Sequence, residues 1–262
     1  MHHLRLSLAT RCFQQPLRQA IQTAAACGAK GLQFDVRDEL RAVDLTDTGR
    51  RQFLHHLDEI GLRMASLLLP TRRGYTDEEH LDARVSATRQ AMQFARQLRS
   101  NVLIARLGKI PADKESKPYR MLFDVVSDLA RHGNQVGTTL AVTPTHDSPE
   151  ALADFLGLIK TGPVGIDFDP AAFVMAGHPP QAALRQLHPL IVHFTARDAI
   201  RDIDGGGVEV PLGRGEVDWL ELLPLLDEIA YPGWVTAVRT QGEDLGGDAA
   251  RAIEFLRNVG MG

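Results

Sequence analysis

A chain of 262 residues exceeds the ~100–200 of an average domain but lies in the range that one closed α/β barrel fills. Its 29 Lys plus Arg against 33 Asp plus Glu leave a formal charge of −4 with no basic block, which argues against a nucleic-acid surface or a polybasic membrane patch. With 44% hydrophobic and 24% charged residues the composition excludes disorder as the main state. A small molecule or another protein is the expected partner. Twenty-four of the 29 cations are Arg, an excess read as compositional habit rather than phosphate binding. Cys12 and Cys27 are the only cysteines and have no CxxC spacing, so neither a disulfide framework nor a thiolate cluster is expected. The amino end lacks a signal-type apolar stretch and no run approaches a membrane span, so a cytoplasmic location is expected.

Short apolar or β-branched runs alternate with amphipathic segments along the whole chain. Leu4–Ala9 is predicted as a strand and Pro16–Cys27 as a helix closed by Gly28. Leu32–Val36 is the second strand, followed by a helix over Asp47–Ile60 that Gly61 ends. Leu62–Leu69 is the third, stopped by Pro70; the helix after it, Asp77–Leu98, carries Leu81, Val85, Met92 and Ala95 on one face. Asn101–Leu107 and Pro118–Val136 make the fourth unit. Thr138–Thr143 is strand five, and Ser148-Pro149-Glu150 opens its helix with a capping Ser, Pro in the first turn and an acid at the positive end of the dipole. Val164–Phe168 precedes a helix near Pro180–Leu187, and Leu190–Thr195 precedes one at Trp219–Ile229. Trp234–Val238 and Gly247–Val259 complete the eighth unit, with Trp219 and Trp234 read as anchors packing helix seven on the strand after it. Eight strand–helix units without a linker, and no GxGxxG after the first strand, predict an α/β fold: one single (β/α)8 TIM barrel, a parallel eight-stranded barrel with outer helices, over 1–262.

In such a barrel the chemistry sits where the carboxyl ends of the strands meet. That rule selects Gln33, Asp35 and Arg37 after strand two, Arg106 after strand four, and Thr143, Thr145 and His146 after strand five. It also selects Asp167 and Asp169 after strand six, His193, Thr195, Arg197 and Asp198 after strand seven, and Arg239 after strand eight.

At these positions the chain resembles the xylose isomerase-like TIM-barrel family, which holds sugar (phosphate) isomerases and epimerases and the related apurinic endonucleases. The resemblance rests on Val164-Gly165-Ile166-Asp167-Phe168-Asp169-Pro170, Ile191-Val192-His193-Phe194-Thr195-Ala196-Arg197-Asp198, Leu212-Gly213-Arg214-Gly215-Glu216-Val217-Asp218-Trp219 and Tyr231-Pro232-Gly233-Trp234-Val235-Thr236, in family order. It implies a divalent cation (Mg, Mn or Co) held by Glu, Asp, His and Glu from strands five to eight, stabilising an enediol-like charge. This chain departs from that set. Thr143, Thr195 and Val238 stand at the Glu, His and Glu positions, Ala172 replaces a substrate-contacting His, and Asp169 alone matches. The reading is therefore a degenerate metal site with no cofactor. His193 and Asp169 are the remaining candidates for chemistry. Arg106, Thr143, His146, Asp167, Thr195, Arg197 and Arg239 are the candidates for binding a small polar, sugar-like or anionic ligand, the arginines as a bidentate clamp. An active isomerase or epimerase with a rearranged site is the alternative, and a homo-oligomer is possible.

Overall fold

The computed structural model describes residues 4–260. Its elements run β1 (Arg5–Ala9), α1 (Leu17–Ala26), β2 (Gly31–Asp35), α2 (Asp47–Glu59), β3 (Arg63–Leu69) and α3 (Leu81–Gln97). They continue with β4 (Val102–Arg106), α4 (Lys117–Val136), β5 (Thr139–Thr143), α5 (Pro149–Leu158), β6 (Val164–Phe168), α6 (Pro170–Ala176) and α7 (Pro180–Leu187). The last are β7 (Ile191–Ala196), β8 (Asp198–Arg201), β9 (Gly207–Val210), α8 (Trp219–Glu228), β10 (Trp234–Ala237) and α9 (Leu245–Val259). Eight strands close in the order β1-β10-β7-β6-β5-β4-β3-β2, all parallel, while β8 and β9 form a separate antiparallel hairpin. The chain is thus the predicted (β/α)8 barrel. Among the described residues no helix is long and apolar enough to cross a membrane.

The strand period of two sorts the barrel into faces. Leu8, Leu32, Leu67, Leu103, Leu140, Ile166, Phe194 and Val235, one per strand, are fully buried in the main core between barrel and helices. Their neighbours Ser7, Gln33, Ser66, Ile104, Ala141, Asp167, His193 and Thr236 take the opposite face. Val102, Ile104 and Ala141, with Leu68 and Val192 packed on them, form a small apolar cluster of their own. The remaining interior is polar, where barrels of this type are ordinarily filled by Val, Ile and Leu. Register shifts between Leu32 and Gln33 on β2 and between Ile166 and Asp167 on β6 fall immediately before two of those polar residues, the position at which a bulge re-aims a side chain.

Local chemistry explains most element ends. Ser148 caps α5 by accepting from the Ala151 amide at 3.2 Å, as its sequence context predicts. Helix α3 starts at Leu81 rather than Asp77, because His80 sits at φ +54° and breaks the helical path. Two features fall outside the predicted elements: the seven-residue helix α6 and the β8–β9 hairpin. Trp219 packs edge-on against Phe194 and Phe255 as an anchor of α8. Trp234 does not. Its ring lies where a side chain on Gly31 would stand, within 2.7 Å of that glycine's missing Cβ, and the Arg5 guanidinium covers it at 4.1 Å. It plugs the amino end of the barrel instead of joining a helix to a strand.

Candidate functional site

A hydrogen-bonded network fills the polar part of the interior. His193 pairs through Nδ1 with Asp167 Oδ1 at 2.8 Å, and its Nε2 lies 2.8 Å from Thr236 Oγ1 and 3.1 Å from Ser66 Oγ. Ser7 Oγ meets Thr236 Oγ1 at 2.6 Å, and Gln33 Nε2 donates to Ser66 Oγ at 3.2 Å. Asp167 also accepts from the Thr195 and Thr143 hydroxyls, at 2.8 and 3.1 Å. Burial alone would push the Asp167 carboxyl up, but bonds from His193, Thr195 and Thr143 outweigh it and hold the group below its ordinary value. Ser66, His193 and Asp167 have the connectivity of a nucleophile–base–acid relay. Ser66 is 0% exposed and His193 1%, however, so the relay is sealed inside the barrel.

Above this layer lies a lattice of ion pairs. Arg197 reaches Asp169 Oδ2 through Nη1 at 2.6 Å and Glu209 Oε2 through Nε and Nη2 at 3.1 and 2.7 Å. Glu209 comes from the β8–β9 hairpin and also accepts the Thr240 amide at 2.7 Å and the Thr240 hydroxyl. Arg239 pairs with Asp248 through Nε at 2.9 Å, while its Nη1 stands 3.4 Å from Glu209 without hydrogen-bond geometry. Asp169 caps α6, accepting the Ala171 and Ala172 amides at 3.1 and 3.3 Å. Burial raises its carboxyl despite the pull of Arg197, whereas Asp169 and Glu209 overcome burial and raise the Arg197 guanidinium.

The nine candidates for chemistry or ligand binding therefore fall into three groups. His193, Asp167, Thr143 and Thr195 meet in the interior network. Asp169, Arg197 and Arg239 meet in the ion-pair lattice, which engages two of the three clamp arginines internally. Arg106 and His146 stand apart, both exposed, and the Arg106 side chain makes no ion pair or hydrogen bond among the described residues. Asp198 holds the loop after β7, as described below. Sequence reasoning missed Ser7, Ser66, Thr236 and Glu209. The first three carry a signal, the period of two counted along their strands; Glu209 lies on a hairpin too short to show one.

The donors at the expected metal positions are largely engaged elsewhere. Asp169 has one oxygen in the α6 cap and the other on Arg197, and the hydroxyls of Thr143 and Thr195 bond to Asp167. Val238 is buried and apolar. Among the described residues no three His, Cys, Asp or Glu side chains converge in a possible metal cage. A hard cation can keep several waters but needs a free carboxylate to anchor it, and with both Asp169 oxygens engaged these residues do not fit one.

Fold and site together define a (β/α)8 barrel whose interior holds a buried polar network with a lattice of ion pairs beside it. The family description "Xylose isomerase-like TIM barrel" matches residues 21–259, and the chain belongs to that family. No curated protein matches it. Among solved structures it is similar to a xylose isomerase domain protein from Planctomyces limnophilus, with a TM-score of 0.85 at 20% identity, covering 98% of this chain and 97% of the other. A D-tagatose 3-epimerase-like protein gives 0.78 at 16%, covering 98% of both chains. A xylose isomerase-like TIM barrel protein from Mycobacterium smegmatis, in complex with magnesium, gives 0.78 at 16%, covering 98% of this chain and 97% of that one. At these identities the likeness shows the fold alone, and the family relates the chain to sugar isomerases and epimerases.

Proposed function

We propose that this protein is a metal-independent member of its family that binds a small polar, sugar-like or anionic molecule at the barrel mouth, in the cytoplasm. The observation that carries the reading is the state of Asp169. It is the one expected metal ligand retained, and both its oxygens are engaged by the α6 cap and Arg197. Ligand recognition then falls to the β4–β5 side of the mouth, where Arg106 is opposite Thr143 in register and holds an unpaired guanidinium. A planar fork of this kind suits a carboxylate or a vicinal diol.

The test has two parts. Elemental mass spectrometry of untreated protein is expected to find substoichiometric Mg, Mn and Co; a tightly held stoichiometric ion would overturn the reading and favour an isomerase with a rearranged site. Thermal shift against neutral sugars and sugar acids is expected to raise Tm with at least one ligand. At a hundredfold excess over Kd the gain is about 2.7 kcal/mol, which raises the Tm of a chain of this size by roughly 5–10 °C. Arg106→Ala is expected to abolish that rise. No response from any ligand would leave a subunit-interaction role.

A further inference from the structure

A second cationic feature lies on the same end of the barrel, outside the mouth. The segments after β2 and β3 and the first turns of α3 enclose a cleft of about 710 Å3 whose polar lining includes Arg37, Asp38, Thr71, Arg72, Arg73 and Arg84. Four guanidinium groups thus face one carboxylate. Only Arg73 is neutralised by acids, bonding Asp77 at 3.1 Å and Glu79 as well. Arg37 donates to the Pro70 carbonyl at 3.1 Å, and Arg84 to the carbonyls of Glu79 and Asp77, acceptors that leave the positive charge in place. Arg72 is exposed and has no hydrogen bond or ion pair among the described residues.

Two polar atoms of the lining, Arg84 Nε and Thr71 Oγ1, are buried and have no hydrogen-bond partner. Buried polar groups are ordinarily paired, so two unpaired atoms in one wall mark the lining of this cleft as under-satisfied in the unliganded chain. The wall is also fixed in place. A Cβ on Gly74 would lie 2.3 Å from Gly108 Cα, so the β3–α3 segment touches the β4–α4 segment backbone to backbone. The Tyr75 amide donates to the Leu107 carbonyl at 2.9 Å, and the Tyr75 side chain is buried with its hydroxyl 2.9 Å from Thr88.

We propose that this cleft binds a small organic molecule through a phosphate monoester. The arginines outnumber Asp38, Asp77 and Glu79 and leave the cleft net cationic, and paired N–H groups of Arg fit phosphate oxygens in a bidentate way. The volume, within the ~300–1,000 Å3 of ordinary ligand pockets, leaves room for the body that carries the phosphate. The inference does not depend on the mouth site, whose free cation is Arg106.

Isothermal titration at low salt with D-ribose 5-phosphate, inorganic phosphate, D-ribose and D-gluconate tests it. The expected result is saturable 1:1 binding of D-ribose 5-phosphate, with inorganic phosphate at least about tenfold weaker. Arg72→Ala and Arg37→Ala are each expected to weaken the phosphate ester about tenfold or more, equivalent to about 1.4 kcal/mol. Arg72 is unpartnered, so Arg72→Ala is expected to keep the unliganded Tm and decides the case even if Arg37→Ala fails to fold. No saturable binding of the phosphate ester, or an affinity unmoved by Arg72→Ala, would overturn the proposal. Equal binding of gluconate in an Arg72-dependent manner would overturn the assignment to phosphate.

Discussion

Asp198 shows how much one buried carboxylate can organise. It is 1% exposed and accepts the amides of Ala199, Gly213 and Val217 at 2.9, 2.9 and 3.2 Å and the Trp219 indole N–H at 3.0 Å. Removing the acceptor orphans four donors, each carrying about 1–3 kcal/mol of desolvation. Asp198→Ala is therefore expected to lose about 3 kcal/mol or more in urea unfolding; a loss under about 1 kcal/mol would show that water replaces the carboxylate. Asp167 makes a pH-dependent contribution. Its folded value lies below its ordinary 3.8, so it stabilises the fold fully above about pH 4, and that stability is lost as pH falls through the lower folded value. Asp169 is shifted upward and works in the opposite sense, so the informative comparison is between variants. Asp167→Asn is expected to be less stable at pH 7 and to show a flatter acid limb below about pH 4 in urea unfolding across pH 2–7. At this scale the sequence named Asp167, Asp169, His193 and Asp198 from strand ends, but their partners come from other strands and no local pattern announces them.

Glu209 carries the largest consequence at the level of elements. The β8–β9 hairpin pairs only with itself in the sheet, and a two-stranded ribbon is marginal alone. Its inner face is tied to the barrel by the Glu209 carboxylate between Arg197, Arg239 and Thr240, while Ile200, Ile203 and Val208 on it remain exposed. Removing Glu209 leaves two largely buried guanidinium groups short of a counter-charge, a change that typically costs about 3–5 kcal/mol. Glu209→Ala is expected to lower stability by that order and to speed limited proteolysis at the 202–206 turn; unchanged cleavage there would show that packing on α6 holds the hairpin unaided. The hairpin was hidden in the sequence because two four-residue strands around Asp202-Ile203-Asp204-Gly205-Gly206 give too few alternations to register. Helix α6 was hidden for a similar reason, being seven residues long, although its cap Asp169 and Pro170 are a legible start signal.

For the whole molecule, eight alternating units imply the closed barrel, since each strand's apolar run and each helix's stripe point to the same layered packing. What fills the barrel was not legible in that way. A run such as Ile191-Val192-His193-Phe194-Thr195 reads as a buried strand whether His193 faces helices or the interior, and the bulge before Asp167 shifts the phase that would decide it. The polar interior has an energetic signature that separates it from an ordinary apolar one. Removing one member of a buried pair leaves the other uncompensated, whereas replacing both by apolar groups of similar volume is often close to neutral. His193→Leu leaves Asp167 with its two threonine donors, and Asp167→Leu leaves His193 Nδ1 without an acceptor, so each is expected to cost about 3 kcal/mol or more in urea unfolding. The double variant is expected to cost less than the two together, with a coupling of about 1–3 kcal/mol. Additive losses would show that the two groups act separately and that the packing around them sets the stability of the barrel. Sugar binding at the mouth in His193→Leu, assayed below its melting range, distinguishes the roles further: a sealed network predicts affinity unchanged within about twofold, and a loss of tenfold or more would place His193 in contact with ligand.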